Sequence, residues 1–162
     1  MTDKEIFLKT YAEEFTITQR VLAAVPQDKT EFTPNPVIKT MGQLTWAIAC
    51  SERVWGAIAG AGIDFTADMW KRPAPATVAE MVTAHAADHV DSLAKISALT
   101  DADWEATTAG WSGPMARYEL AWGMLHDTIH HRGQLSTYLR AAGAVVPSIY
   151  GPTVEEPMGL TE

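Results

Sequence analysis

Histidines are concentrated in one short stretch of this chain. The segment HDTIHHRGQLSTYLR, residues 126 to 140, contains three of the five histidines and continues directly into Arg-Gly-Gln. Imidazole nitrogens bind divalent metals and transfer protons near neutral pH. The segment is therefore either the wall of a metal site or a polar surface that is rich in imidazole.

Asp127 and His131 are the pair in this stretch that is best placed for chemistry. They lie four residues apart, which puts them roughly 40° apart around a helix. They also continue an apolar stripe formed by Leu120, Met124, Leu135 and Tyr138. A carboxylate and an imidazole on an inner helix face cost several kcal/mol unless they are paired, hydrogen-bonded or bound to a metal. A metal site and a buried Asp–His hydrogen bond without metal explain the pair equally well.

Two further histidine pairs have the same spacing of four. His126 and His130 are rotated toward the edge of the stripe, so a structural or rim position is favoured for them. His85 and His89 lie on an earlier predicted helix. Metal sites in helical bundles use ligands at this spacing on two facing helices. Hydrogen-bonded or partly exposed structural roles are nevertheless favoured for His85 and His89.

Other polar and small residues near these segments receive structural interpretations. Glu52 and Arg53, in CSERVW, are predicted to form a solvated face. Arg132 is predicted to make an ion pair that anchors neighbouring backbone. Cys50 is predicted to be a packing residue, since no cation precedes it in sequence to lower its pKa. Gly133 costs a helix about 1 kcal/mol relative to alanine, which predicts a close helix crossing.

Apolar residues recur at helical spacing along most of the chain and predict an all-α four-helix bundle. Thr40 and the sequence TVAE, residues 77 to 80, are N-cap signals, Pro114 suits a first helical turn, and Gly143 suits a helix end. The segment 100 to 113 is predicted to be a loop with at most a short turn, and no strand is predicted. The long helices are expected near residues 4–25, 41–60, 77–98 and 114–142.

Composition indicates the broad class of the protein. A chain of 162 residues that is 47% hydrophobic predicts one compact domain over 1–162. Its longest apolar runs fall short of the ~18 residues of a membrane span, its charged start lacks a secretory signal, and one cysteine excludes an internal disulfide. A cytoplasmic protein is therefore expected. The formal charge of -8 disfavours nucleic acid and anionic membranes as partners.

Three segments carry a resemblance to a known family. MLHDTIHHRGQLSTYLRAAGAVVPSIYGP (124–152) resembles the closing signature of the DinB/YfiT-like superfamily. TMGQLTWAIACSERVW (40–55) resembles the second helix of that family, and PATVAEMVTAHAADHVDSL (75–93) resembles its third. The resemblance implies a four-helix bundle, often a homodimer, with zinc or nickel held by one histidine on the second helix and two on the last.

Only part of that ligand set is present. The last family histidine matches His131, the histidine four residues earlier matches Asp127, and the second-helix histidine matches Ala47. The resemblance thus implies a degraded metal site formed by His131 and Asp127, with His126 or His89 as the nearest additional ligands. A carboxylate at 127 shifts the preference toward harder ions such as manganese. The missing ligand predicts equally well that no metal is bound.

The functions implied by the resemblance belong to different classes. The first is a metal-dependent transferase or isomerase that uses a low-molecular-weight thiol such as bacillithiol, mycothiol or glutathione. The second is a non-catalytic protein that binds a small molecule, and the third is a stress-response homodimer without metal. A homodimer is also predicted because one small core cannot readily hide so many large aromatics, namely Trp55, Trp70, Trp104, Trp111 and Trp122.

Overall fold

The structure is a computed structural model that describes residues 1–64 and 71–157. Within these residues the chain is mainly helical, which confirms the predicted all-α class. The helices are α1 Asp3–Ala23, α2 Met41–Ser51, α3 Val54–Ala59, α4 Val78–Ser97, α5 Asp101–Glu105 and α6 Arg117–Ala141, with a 3-10 turn at Gln27–Lys29. Two short strands, β1 Thr107–Gly110 and β2 Gly113–Ala116, precede α6.

The long helices form a bundle in which α4 and α6 each pack against both α1 and α2. The segment α3 continues from α2 and also packs on α4 and α6. Helices α2 and α6 therefore pack against each other. The residues of the candidate sites lie either between these two helices or between α1, α2 and α4. No helix in the described parts of the chain is long and apolar enough to cross a membrane.

Local signals explain where the helices begin and end. Thr40 and Thr77 each accept a hydrogen bond from the backbone N–H three residues later, and Gln43 and Glu80 return it, so both predicted caps are confirmed. Gly143 follows α6 with a φ of 70°, a left-handed conformation that favours glycine. The predicted stop is therefore also confirmed.

The prediction that residues 100–113 contain no strand, and that Pro114 begins the last helix, is wrong. Residues 107–116 form an antiparallel hairpin in which Ala109 pairs with Pro114, and α6 begins at Arg117. Both strands of a two-stranded sheet are edges, so a proline without an N–H is tolerated. Gly113, with a φ of 110°, provides the tight turn.

The predicted second helix is interrupted at Glu52 and Arg53, which separate α2 from α3. No proline or glycine marks this break. The side chain of Glu52 instead turns into the interior, where it is 2% exposed. The prediction of a solvated face is therefore wrong for Glu52.

The core hides more aromatic surface than the sequence suggested. Trp55 and Trp104 are buried together with Phe7 and Tyr11, and Trp122 packs edge-on against Phe7 with ring centroids 5.2 Å apart. Trp111 is 45% exposed. Trp70 lies outside the described residues.

Gly133 does not mark the predicted close crossing. A Cβ placed there would meet nothing within 4 Å among the described residues. The close approach occurs at Gly123 instead, where a Cβ would lie 2.4 Å from Cη2 of Trp111.

Candidate functional site

A pocket of about 280 Å³ lies between α2 and α6. It brings together Ala47, Asp127 and His131, which the sequence comparison with the family had placed at one site. The remaining wall combines apolar and polar side chains from the same two helices, namely Gln43, Trp46, Ile48, Cys50, Ser51, Met124 and Thr128.

Asp127 and His131 lie at the mouth of this pocket and not on the inner face of α6. Their side chains are 51% and 40% exposed. The helical period carries the buried stripe over Thr128 and Arg132 instead, both of which are buried. The prediction that the pair lies on the inner face is therefore wrong, and neither group has lost most of its hydration.

Gln134 joins the imidazoles of His130 and His131. Oε1 of Gln134 lies 2.9 Å from Nδ1 of His131. The amide nitrogen of Gln134 in turn donates to Nε2 of His130 at 2.9 Å. Nε2 of His131 faces Oδ2 of Asp127 at 3.5 Å.

Two residues of the pocket wall, Cys50 and Thr128, have buried polar side-chain atoms. Burial, reinforced by Asp88, raises the pKa of Cys50 to about 11 although Arg72 and Arg53 oppose the shift, so this residue is a thiol near neutral pH. That agrees with its predicted packing role. Thr128 is 5% exposed, and its Oγ1 is buried without a hydrogen-bond partner among the described residues.

A second polar cluster lies in the interior between α1, α2 and α4. Oε1 of Glu52 accepts hydrogen bonds from the hydroxyl of Tyr11 and from Nδ1 of His89, the latter at 2.5 Å. Oε2 of Glu52 lies 3.3 Å from Nε2 of His85. Phe15 stacks on both imidazoles, with centroid distances of 3.7 Å to His89 and 5.1 Å to His85.

The electrostatics of this cluster keep Glu52 ionised. Burial alone would raise the pKa of its carboxyl, but the contacts with the imidazoles of His85 and His89 outweigh burial and lower it below the ordinary value. Burial and the neighbouring carboxylate raise the pKa of Tyr11, which therefore stays protonated. The structural interpretation of His85 and His89 agrees with these contacts.

Glu52 was missed because glutamate is rarely buried unless it is paired. One signal could have revealed it, since Leu44, Ile48 and Glu52 follow at steps of four and share one helix face. Because His85 and His89 are predicted on a neighbouring helix, this shared face indicates that the carboxylate of Glu52 pairs with their imidazoles in the interior.

The predicted ion pair of Arg132 is confirmed. Its Nη1 lies 2.7 Å from Oε2 of Glu14 on α1, and its Nη2 donates to the hydroxyl of Tyr150 at 2.6 Å. The same hydroxyl donates to Glu14 at 2.8 Å. This network, here called the Glu14–Arg132–Tyr150 latch, fastens the segment after α6 to the bundle.

The DinB family model matches residues 1–160. The chain belongs to the DinB family. It is 25% identical over 154 residues to the uncharacterized protein YrdA of Bacillus subtilis strain 168, which covers 93% of this chain and 89% of that protein.

Two solved structures share this DinB fold. A DinB-like protein from Bacillus cereus ATCC 10987 superposes with a TM-score of 0.79 at 22% identity, over 90% of this chain and 97% of the other. The DinB-like protein YjoA from Bacillus subtilis gives 0.70 at 14% identity, over 94% and 98%. At these identities the likeness concerns the fold alone.

The donor set in this DinB protein does not fit a metal held by three protein ligands. Of the three aligned positions, Asp127 and His131 present an oxygen and a nitrogen to the pocket, and Ala47 presents a methyl group. His126 is exposed, lies near Trp122 and is not part of the pocket wall. His89 is bonded to Glu52. Within 1–64 and 71–157, no group of three or more His, Cys, Asp or Glu side chains is arranged to hold an ion.

Proposed function

We propose that this DinB-family protein binds a small organic molecule in the pocket between α2 and α6 and does not depend on a three-ligand metal. The observation that supports the proposal is Ala47. It occupies the position of the second-helix ligand in a pocket where Asp127 and His131 are retained. The site thus has an open volume and polar groups, but lacks one ligand.

The chemistry of the wall suits a small ligand. Small-molecule sites are concave, mainly apolar, and carry a few convergent polar groups that orient the ligand. Here Trp46, Ile48 and Met124 supply the apolar surface, while Asp127 and His131 supply the polar groups. The volume of about 280 Å³ suits a compact ligand.

A fragment screen by ligand-observed NMR tests this proposal, with Ala47→Trp as the variant that fills the pocket. Fragments bound by the natural protein should be lost in Ala47→Trp and retained in Ala87→Trp, an exposed position on α4. Fragments that bind all three proteins alike, or a screen without any binder, would contradict the proposal.

The second candidate is a metal-dependent transferase or isomerase that uses a low-molecular-weight thiol. One observation favours it. Oδ2 of Asp127 and Nε2 of His131 are 3.5 Å apart, close to the ~3.3 Å expected between two ligands on one tetrahedral zinc. With two ligands, we expect well under one equivalent of zinc or nickel in the isolated protein, and a relative preference for manganese.

Calorimetric titration with zinc separates the two candidates. Ala47→His should bind zinc at least ~10-fold more tightly than the natural protein, because it restores a third ligand. Asp127→Ala in the Ala47→His background should reverse the gain. Tight stoichiometric binding by the natural protein would favour the metalloenzyme, and no gain in Ala47→His would mean that position 47 does not face His131.

We also propose that the protein is a homodimer. Apart from the family resemblance, the support is that several large apolar side chains are exposed, namely Val37, Val90, Trp111 and Val154.

A further inference from the structure

A carboxylate oxygen and an imidazole nitrogen converge at the mouth of the α2–α6 pocket. Nε2 of His131 faces Oδ2 of Asp127 at 3.5 Å, a separation longer than a normal hydrogen bond. An N–H donor placed between them could bond to the carboxylate and to a neutral imidazole. A group that brings two or more N–H donors therefore suits this pair.

Thr128 provides a third, independent polar feature in the same wall. Its Oγ1 is buried and unpartnered among the residues that the structure describes, although it could accept or donate. A buried hydroxyl without a hydrogen-bond partner costs stability. A ligand donor that reached Thr128 would remove that cost.

The charge of the pocket lining favours a ligand with a charge of one sign. Asp127 is the charged side chain in the described lining, and neither lysine nor arginine is part of that lining. Arg72 lies over the ring of Trp46, with its guanidinium 5.2 Å from the ring centroid, and pairs with Asp88 at 2.8 Å. With a net charge of -8 over the whole chain, the pocket disfavours anions and favours cations.

We propose that the pocket takes a primary ammonium compound with a compact apolar or aromatic body. The ammonium group lies between Asp127 and His131 and donates to both. The body packs against Met124 and Trp46, which line the pocket. This inference rests on the proposed small-molecule function and adds the class of ligand.

Four probes of one shape test the inference by NMR titration at pH 7.5 and low salt. They are benzylamine, benzyl alcohol, benzoate and benzyltrimethylammonium. Benzylamine should bind at least ~10-fold more tightly than benzyl alcohol, since charge-assisted hydrogen bonds are the stronger ones, and benzoate should not bind. Benzyltrimethylammonium should bind more weakly than benzylamine because it has no N–H to donate.

Asp127→Asn is the matching variant. It should bind benzylamine and benzyl alcohol equally, whereas Asp91→Asn, on the exposed face of α4, should keep the natural preference. Equal binding of benzylamine and benzyl alcohol to the natural protein, lost in Ala47→Trp, would overturn the ammonium inference and leave the small-molecule function standing. Equal binding of the two cationic probes would overturn the role of the acceptor pair. Absence of any binder in both the fragment screen and this panel would overturn both proposals.

Discussion

The carboxylate of Glu52 is held by groups from two other helices. Tyr11 on α1 and the histidines of α4 point at its oxygens, and the hydroxyl of Ser92 donates to its backbone carbonyl at 2.8 Å. A buried carboxylate without such donors would cost several kcal/mol. Since Glu52 also lies at the break between α2 and α3, these contacts fix the end of the helix that forms one side of the pocket.

Glu52→Gln should lower the free energy of unfolding by about 3 kcal/mol, because an amide NH2 replaces an acceptor and faces N–H and O–H donors. Urea denaturation measures the effect. Glu13→Gln, on the exposed side of α1, is the control and should change stability by less than about 0.5 kcal/mol. Equal stability of Glu52→Gln and the natural protein would contradict the buried network.

The contribution of Glu52 should also depend on pH. The folded protein lowers the pKa of Glu52 from its ordinary value of 4.5, so the unfolded chain binds its proton more readily. The stabilisation is therefore present above pH 4.5 and is lost as the pH falls through 4.5 toward the folded value. Urea denaturation from pH 7 to 3.5 should show a stability difference between natural protein and Glu52→Gln that narrows below pH 4.5. A constant difference would contradict this assignment.

Two glycines of α6 have opposite surroundings. Gly133→Ala should raise the free energy of unfolding by about 0.5–1 kcal/mol, because its Cβ meets open space and alanine favours the helix. Gly123→Ala should lack that gain, since its Cβ would displace the ring of Trp111 from α6. Thermal or urea denaturation of the pair is the measurement, and equal gains would mean that Trp111 does not rest on Gly123.

The hydroxyl of Tyr150 joins the segment after α6 to α1 and α6. Tyr150→Phe should lower the free energy of unfolding by about 1 kcal/mol and speed amide exchange near residue 150, because the hydrogen bonds with Glu14 and Arg132 are lost. Tyr118→Phe is the control, as the Tyr118 hydroxyl makes no hydrogen bond within the described residues. Unchanged exchange in Tyr150→Phe would mean that other contacts hold this segment.

Periodicity predicted the long helices because each has an apolar face that repeats over several turns. The hairpin at 107–116 could not be predicted in this way, since strands of four residues containing glycine and proline show no alternation. The break after α2 has no sequence marker and results from tertiary contacts of Glu52. The family motifs predicted that Ala47, Asp127 and His131 lie at one site. Whether these side chains face the interior or the pocket mouth depends on the rotation of each helix about its axis. The spacing of the apolar residues along α6 does not fix that rotation closely enough.

For the whole molecule, light scattering at tens of micromolar should give twice the chain mass of 17.6 kDa. The physical reason is that apolar side chains left exposed on a single chain gain by association. Val90→Glu, on the exposed side of α4, and Val37→Glu test which surface is used. A mass of one chain under these conditions would contradict the homodimer.

The Glu14–Arg132–Tyr150 latch has a consequence for biosynthesis. Its members are separated by up to 136 positions, so α1 leaves the ribosome long before its partners exist. At ~5–20 residues per second, Tyr150 is translated roughly 7 to 27 seconds after Glu14. Until Arg132, 118 positions after Glu14, has been made, Glu14 has no guanidinium to accompany it into the interior and must remain hydrated. The nascent bundle therefore cannot close around its first helix until translation has nearly finished.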